Sequence, residues 1–393
     1  MILLTEECIQ NDHSDHQIGR KITGGDRHAH DPTLIYVAVM AVLCDLNAAG
    51  IIEKDRNNDV LWTWSYPSVT SEQREFLIAK TGFGTENPLS INFVYSQWKQ
   101  TWYYIYIVDV TSEDAALSRV AQFALVLLAK DFNPEKYSTL CRLFSRQYKK
   151  TGSPVAMLEG YLSVVTRGVC NSDENGKFSV SDYSKQQAYS RSCVKDIIQT
   201  FGVETIFIYT AMLLKKRIAI YYPPHSVSNL LDYTRSIPAF AWHRQNWSIV
   251  HPFVQLNDAE LENLQSNSHY VAGFTEAAVE GRSDLYDLFV NVPNNQITVA
   301  SHAKDSFAMG KLHKDVATLM VEKADDDSLE DVDVIKEIAN KTKDLLNNLK
   351  SLATENEDGK LTLSLETLKE RRMPPATENF LFSLAASEGF VKF

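Results

Sequence analysis

Val203 to Tyr222, VETIFIYTAMLLKKRIAIYY, constrains this chain more than any other stretch. It opens with a nearly unbroken apolar run, Ile206 to Leu214. A basic triplet follows, Lys215, Lys216 and Arg217, then a β-branched and aromatic run, Ile218 to Tyr222, closed by Pro223 and Pro224. The second half reads as a short, fully buried strand, because prolines cannot continue a ladder. The first half is open to two readings. Ile206 to Tyr209 favour strand, whereas Ala211 to Leu214 favour helix. Its length, and a basic triplet suited to the negative end of a helix dipole, favour a buried helix running into a central strand. Neither half can face water, so a layer must cover each face, and the stretch is the core of an α/β domain.

Around that core the chain divides by texture. Residues 1–47 are polar and aperiodic and are expected to be a disordered extension. His13, His16, His28 and His30 lie there among Asp12, Asp15, Asp26 and Asp31, with Cys8 nearby. A metal site is conceivable from those residue types, but loose spacing without an apolar framework favours a tail, so no metal is expected. Residues 48–170 read as an α+β module. Gly50–Lys54 and Val60–Tyr66 form a hairpin around the turn at Asp55–Asp59. A helix follows from Ser71 to Lys80, with Thr70 and Gln73 fitting a capping box better than Ser71 and Arg74 do. Asn92–Trp98 and Trp102–Val110 are strands, and Val120–Leu128 is a strand or a buried helix. Asn133–Tyr148 and Pro154–Thr166 are amphipathic helices, the first with Asn133 as N-cap and Pro134 in its first turn.

Residues 171–191 are polar and are expected to be a linker or a long loop. Residues 192–300 alternate helices and strands, which suggests an open, largely parallel sheet. Residues 301–393 turn helical, with an apolar seam at Ile335, Ile338, Thr342, Leu345, Leu349 and Leu352. The expected fold is therefore α/β and α+β: a sheet-and-helix module, an α/β core and a helical tail.

Composition narrows the function. A formal net charge of −11 argues against nucleic acid, whose phosphates need a basic surface. Five scattered cysteines with no CxxC spacing fit a reducing compartment. The apolar run from Leu34 to Cys44 is too short to span a bilayer. Catalytic motifs fail on inspection. Gly82-Phe83-Gly84 lacks the later glycine of a dinucleotide loop, and Gly310-Lys311 is followed by Leu312 where a phosphate loop needs Ser or Thr. His243, His251 and His269 sit among apolar residues and read as core or surface histidines. No cofactor is expected. One feature suggests a partner. Trp62, Trp64 and Tyr66 share one face of a regular strand. An aromatic strand face is usually core, which makes packing the first reading of all three. Tyr66, at the strand end beside Pro67, is also the candidate partner contact, with Trp64 and Pro67 next to it.

Lys216-Arg217-Ile218-Ala219-Ile220, Pro238-Ala239-Phe240-Ala241-Trp242 ahead of Ile249-Val250, and Tyr270-Val271-Ala272-Gly273-Phe274 resemble the central signature of the DENN family. Tyr66-Pro67 and Asp131-Phe132-Asn133-Pro134 look like its upstream module. The resemblance covers about residue 48 to the end, and the order of the motifs carries it. It implies a longin-like module, a DENN core and a helical downstream region. It further implies a guanine-nucleotide exchange factor for a Rab GTPase, acting without covalent chemistry, with the GTPase docked between the two lobes. The Tyr66 strand end would then face that groove. For a short member of the family it implies Rab twenty-seven type substrates, a cytoplasmic protein peripheral on late endosomes, and association with the Commander recycling assembly. A non-catalytic adaptor in that assembly is the alternative.

Overall fold

The computed structural model describes residues 45–84, 91–172, 176–355 and 361–391, all within one compact unit. The expected disorder of residues 1–44 and the histidines and acids weighed as metal ligands lie outside the described residues. Leu46 already belongs to the first strand, so regular structure begins ahead of the expected boundary at 48.

The first sheet comprises β1 (Leu46–Asp55), β2 (Val60–Tyr66), β3 (Phe93–Trp98), β4 (Thr101–Asp109) and β5 (Val120–Ala129), with helix α1 (Ser71–Thr81) between β2 and β3. Its order is β2-β1-β5-β4-β3, antiparallel throughout. Helices α2 (Pro134–Thr151) and α3 (Pro154–Arg167) cover one face, and α1 covers the other. The double cover explains the ambiguity at residues 120–128. Phe123, Leu125 and Leu127 pack toward α2, while Ala124, Val126 and Leu128 pack toward α1, so both faces of β5 are apolar and no alternation survives. The caps form as expected: Thr70 and Gln73 close a capping box, and the Asn133 side chain accepts the Lys136 N–H.

The shared aromatic face on β2 does not form. Ile51 pairs with Trp64 but Ile52 pairs with Trp62, so a bulge at Thr63 breaks the two-residue period. Trp62 turns to the α1 face, where its ring lies over Gly50; a Cβ on Gly50 would sit 2.6 Å from that ring. Trp64 packs on the opposite face, and Tyr66 meets Tyr161 of α3 edge to face at 5.7 Å.

The stretch 171–191 is more structured than a linker. A hairpin of β6 (Val169–Ser172) and β7 (Gly176–Ser179) precedes helix α4 (Lys185–Ser190), and Phe178 and Ala188 are buried. Two buried anchors, one of them only an alanine, are too sparse in a polar segment to register as periodicity.

Helices α5 (Val194–Phe201) and α6 (Thr205–Leu213) lead into the second sheet: β8 (Ile218–Tyr221), β9 (Val250–Val254), β10 (Val271–Phe274), β11 (Leu288–Asn291) and β12 (Gln296–Val299). Helix α7 (Val227–Ser236) separates β8 from β9, and α8 (Asp258–Gln265) separates β9 from β10. The order is β12-β11-β8-β10-β9, parallel except for β12. Val203 to Tyr222 thus supplies both a buried helix and the central strand. The basic triplet follows the helix end directly, and the Lys216 backbone N–H donates to the Ala211 carbonyl at 2.9 Å. The side-chain donor to the last carbonyls is Arg244, at 2.5 Å to Met212 and 2.7 Å to Leu213, while Arg217 turns away to Asp287 at 3.0 Å.

The remainder is helical: α9 (Lys311–Ala324), α10 (Asp331–Leu352), a small β13–β14 pair (Thr354–Glu355, Leu361–Thr362), α11 (Leu365–Glu370) and α12 (Pro375–Ser387). The expected α10 seam is buried from Ile335 to Leu349, and its Thr342 hydroxyl meets Tyr209 of α6 at 2.9 Å. No described helix is long and apolar enough to cross a membrane.

Candidate functional site

The two sheets meet where β3, an edge of the first, runs against β9, an edge of the second. The contact is made by side chains reaching across to strand backbone. Gln97 of β3 donates its amide to the Ser248 and Val250 carbonyls at 2.5 and 2.7 Å. Ser96 accepts the Phe253 N–H at 3.3 Å. Lys80, projecting from the buried side of α1, donates to Glu260 of α8 at 2.6 Å and to the Phe253 carbonyl at 3.2 Å. Burial pulls the Lys80 ammonium below its ordinary range, and the Glu260 carboxylate opposes that shift.

A second clamp lies along the same seam. Arg235 of α7 holds the Glu135 carboxylate of α2 with two bonds, 2.7 and 3.2 Å, and donates to the Ala188 carbonyl at 2.9 Å. Its own carbonyl receives the Trp247 indole N–H at 2.9 Å, and Trp247 stacks on Tyr189 at 4.0 Å. A planar fork that satisfies one carboxylate twice fixes orientation as well as distance. His251 of β9 is buried at this junction. Burial drives its imidazole down to about 4, against the opposing effect of a Gln97 backbone hydrogen bond, so the ring is neutral at pH 7.

Two clefts open along β3. At its start, a cavity of about 490 Å³ has an apolar floor of Phe93, Tyr95 and Leu231 and a charged rim of Glu135, Arg142 and Asp232. At its end, a polar cavity of about 770 Å³ lies between the β3–β4 turn and β9. Among the described residues there is no His, Cys, Asp and Glu grouping that could hold a metal ion.

The residues singled out from sequence lie elsewhere. Tyr66 and Pro67 are exposed and Trp64 is half-buried, all at the β2 end of the sheet. β1, β5 and β4 intervene before β3, a distance of about 19 Å at ~4.8 Å per strand. The Tyr66 strand end therefore does not face the seam. What it borders is α3, whose Val155, Leu158, Leu162 and Val165 form a stripe with Val155 and Leu162 exposed. Sequence reasoning missed the seam residues themselves. Lys80 did carry a signal, since it falls in helical register with Phe76 and Leu77 on the apolar side of α1. Its partner, 180 residues downstream, carried none.

Comparison with known proteins gives a consistent picture. The family model for DENN domain-containing protein 11 matches residues 107–302. DENN domain-containing protein 10 of Danio rerio is 49% identical over 343 residues, covering 87% of this chain and 97% of that protein. The Homo sapiens protein of the same name is 46% identical over 344 residues, 87% of this chain and 96% of that protein. The Dictyostelium discoideum one is 39% identical over 354 residues, 86% of this chain and 96% of that protein.

Proposed function

Because the chain belongs to the DENN domain-containing protein family, we propose that it is a guanine-nucleotide exchange factor for a Rab GTPase of Rab twenty-seven type on late endosomes. DENN domains are in general Rab exchange factors, and near-full-length identity to DENN domain-containing protein 10 carries the reading. Exchange needs no bond-making residue. It needs a rigid surface that binds the nucleotide-free GTPase more tightly than the nucleotide-bound one, so that association lowers the barrier to GDP release. The seam supplies the rigidity through Lys80–Glu260 and Arg235–Glu135. The cleft at the start of β3 supplies an apolar centre with a charged rim, the anatomy of a protein interface. The GTPase docks there, against Phe93, Tyr95 and Leu231.

The test is mant-GDP release from a panel of purified Rab proteins, with the wild-type chain and with Leu231→Asp. Acceleration for a Rab twenty-seven type protein, lost in the variant, is expected. No acceleration for any Rab overturns the reading.

A second reading is favoured by the exposed apolar stripe on α3 beside Tyr66, remote from the seam. On that reading the chain is an adaptor subunit of the Commander recycling assembly. Pull-down of Commander subunits that Leu162→Asp abolishes, with GDP release absent, would favour it over exchange.

A further inference from the structure

The cavity at the end of β3 runs into a second one, of about 290 Å³, with Asn246, Ile249 and His269 lining both. Together they form one groove from the β3–β4 turn to the C-terminal end of α6. Its charge is unlike that of the molecule. The chain carries 50 acidic and 39 Lys and Arg residues. Yet Lys99, Lys130, Lys215, Lys216 and Arg244 line the groove, and no Asp or Glu does. Arg244 is engaged by Glu388, and Lys99 by Glu72. Lys215 and Lys216 make no ion pair among the described residues, and Lys215 stands exposed, its backbone in the left-handed region at φ 51°. The local field is positive: burial first, then the Lys215 and Arg244 charges, push the His269 imidazole down.

The distribution of groups selects the ligand. A phosphate asks for cations and N–H donors converging on one point. Here the cations stand at the two ends, Lys99 and Lys130 at one, Lys215 and Lys216 at the other. The groove is also lined by the side-chain amides of Asn246, Asn263 and Asn267. Internal bonds hold the Asn246 and Asn263 oxygens and the Asn267 NH2, so the Asn246 and Asn263 NH2 groups are the donors, and the Asn267 oxygen the acceptor, that a peptide backbone would meet. The buried His251 adds an Nε2 with no hydrogen-bond partner. We propose that this groove binds an extended acidic peptide of a partner protein, its backbone on the asparagine amides and its carboxylates on the flanking lysines. Charge complementarity of this kind sets partner choice and association rate. The groove shares no lining residue with the cleft assigned to the GTPase, so the inference stands or falls independently of exchange activity.

The probe is a fluorescein-labelled decapeptide of alternating Glu and Ser, titrated with the full chain by anisotropy. It is compared with a Gln-for-Glu peptide, inositol hexakisphosphate and phosphatidylinositol-4,5-bisphosphate vesicles. Lys215→Glu with Lys216→Glu should weaken the acidic peptide by about tenfold or more. Lys343→Glu with Lys369→Glu, on exposed positions of the helical tail, changes the net charge equally and should leave binding unchanged. Melting curves check that both double variants fold. In the wild type, peptide binding should also raise the His269 pKa in an NMR titration, which needs no variant. Three results overturn the proposal: no binding of the acidic peptide at millimolar chain, equal weakening by both double variants, or binding of the inositol phosphate or vesicles in place of the peptide.

Discussion

Lys80 and Glu260 meet at 2.6 Å with their side chains 0% and 7% exposed, and they join α1 of the first sheet to α8 of the second. Taking two charges out of water is costly, and their attraction offsets the cost only while both are present. Glu260 is further held by the Gln255 N–H at 3.1 Å and the Asn257 amide at 2.8 Å, so it cannot swing out to water without loss. Glu260→Gln should therefore destabilise the fold by about 3–5 kcal/mol. Adding Lys80→Met should restore much of that, because no buried charge is then left alone. Urea denaturation of both singles and the double, read as a double-mutant cycle, measures the coupling. A Glu260→Gln variant as stable as the parent would show that the pair does not clamp the seam.

The same pair shows where the sequence was legible. The alternation of helix and strand after residue 192 announced a parallel sheet, and the apolar run at Ile206–Leu214 announced a buried helix, because burial writes hydrophobicity into local sequence. The bulge at Thr63 left no such mark. It is a pairing event between β1 and β2, and it moved Trp62 to the other face from Trp64. The seam was hidden for a related reason. Gln97, Lys80 and Arg235 act on carbonyls and carboxylates more than 45 residues away in the chain, and nothing local distinguishes a lysine destined for burial beyond its register on α1.

His251 gives the fold an acid-sensitive point. Its imidazole titrates at about 4 in the folded protein against an ordinary 6.5. Between those values the unfolded chain binds a proton at this residue that the folded chain does not. Acid therefore favours unfolding: the contribution is complete above 6.5 and is lost as pH falls toward 4. The shift corresponds to about 3 kcal/mol. Stability measured by urea at pH 7 and pH 4.5 should fall less in His251→Gln than in the wild type, whatever the variant's stability at neutral pH. Equal losses in the two proteins would mean that the ring is not held neutral.

Arg217 and Lys215 stand two residues apart and should respond unequally to truncation. The Arg217 guanidinium donates to Asp287 at 3.0 Å and to the Asp284 carbonyl at 2.7 Å, and its backbone N–H donates to Asp287 at 2.8 Å. This ties the start of β8 to the start of β11, its neighbour in the sheet. Lys215 is exposed and carries no such bond. Arg217→Ala should cost about 1–3 kcal/mol, since it leaves a half-buried carboxylate short of partners. Lys215→Ala should stay within about 0.5 kcal/mol, as exposed substitutions do. Melting temperatures of the two variants decide it, and equal values would remove Arg217 from the account of how β8 is fixed.

Tyr66 separates two kinds of partner surface. It is 42% exposed, its ring rests edge-on against Tyr161, and the Tyr161 hydroxyl donates to the Asn47 carbonyl at 3.1 Å, so the supporting side is well anchored. Beside it α3 exposes Val155 and Leu162, 60% and 40% accessible. An aromatic held from below by its neighbour, with exposed apolar side chains on that neighbour's helix, has the form of an interface anchor. The seam lies across the sheet, so this surface and the cleft proposed for the GTPase are separable. Tyr66→Ala should leave GDP release on a responsive Rab unchanged. It should weaken capture of an α3-binding partner, such as a Commander subunit, by at least about 1 kcal/mol. Removing a half-exposed ring should lower the melting temperature only slightly, because its Tyr161 contact is worth about 0.5–1.5 kcal/mol. Exchange kinetics, partner titration and thermal melting on one preparation distinguish the cases. Unfolding of the variant would assign Tyr66 to packing alone, and slowed GDP release would place the GTPase on this face of the sheet instead of at the seam.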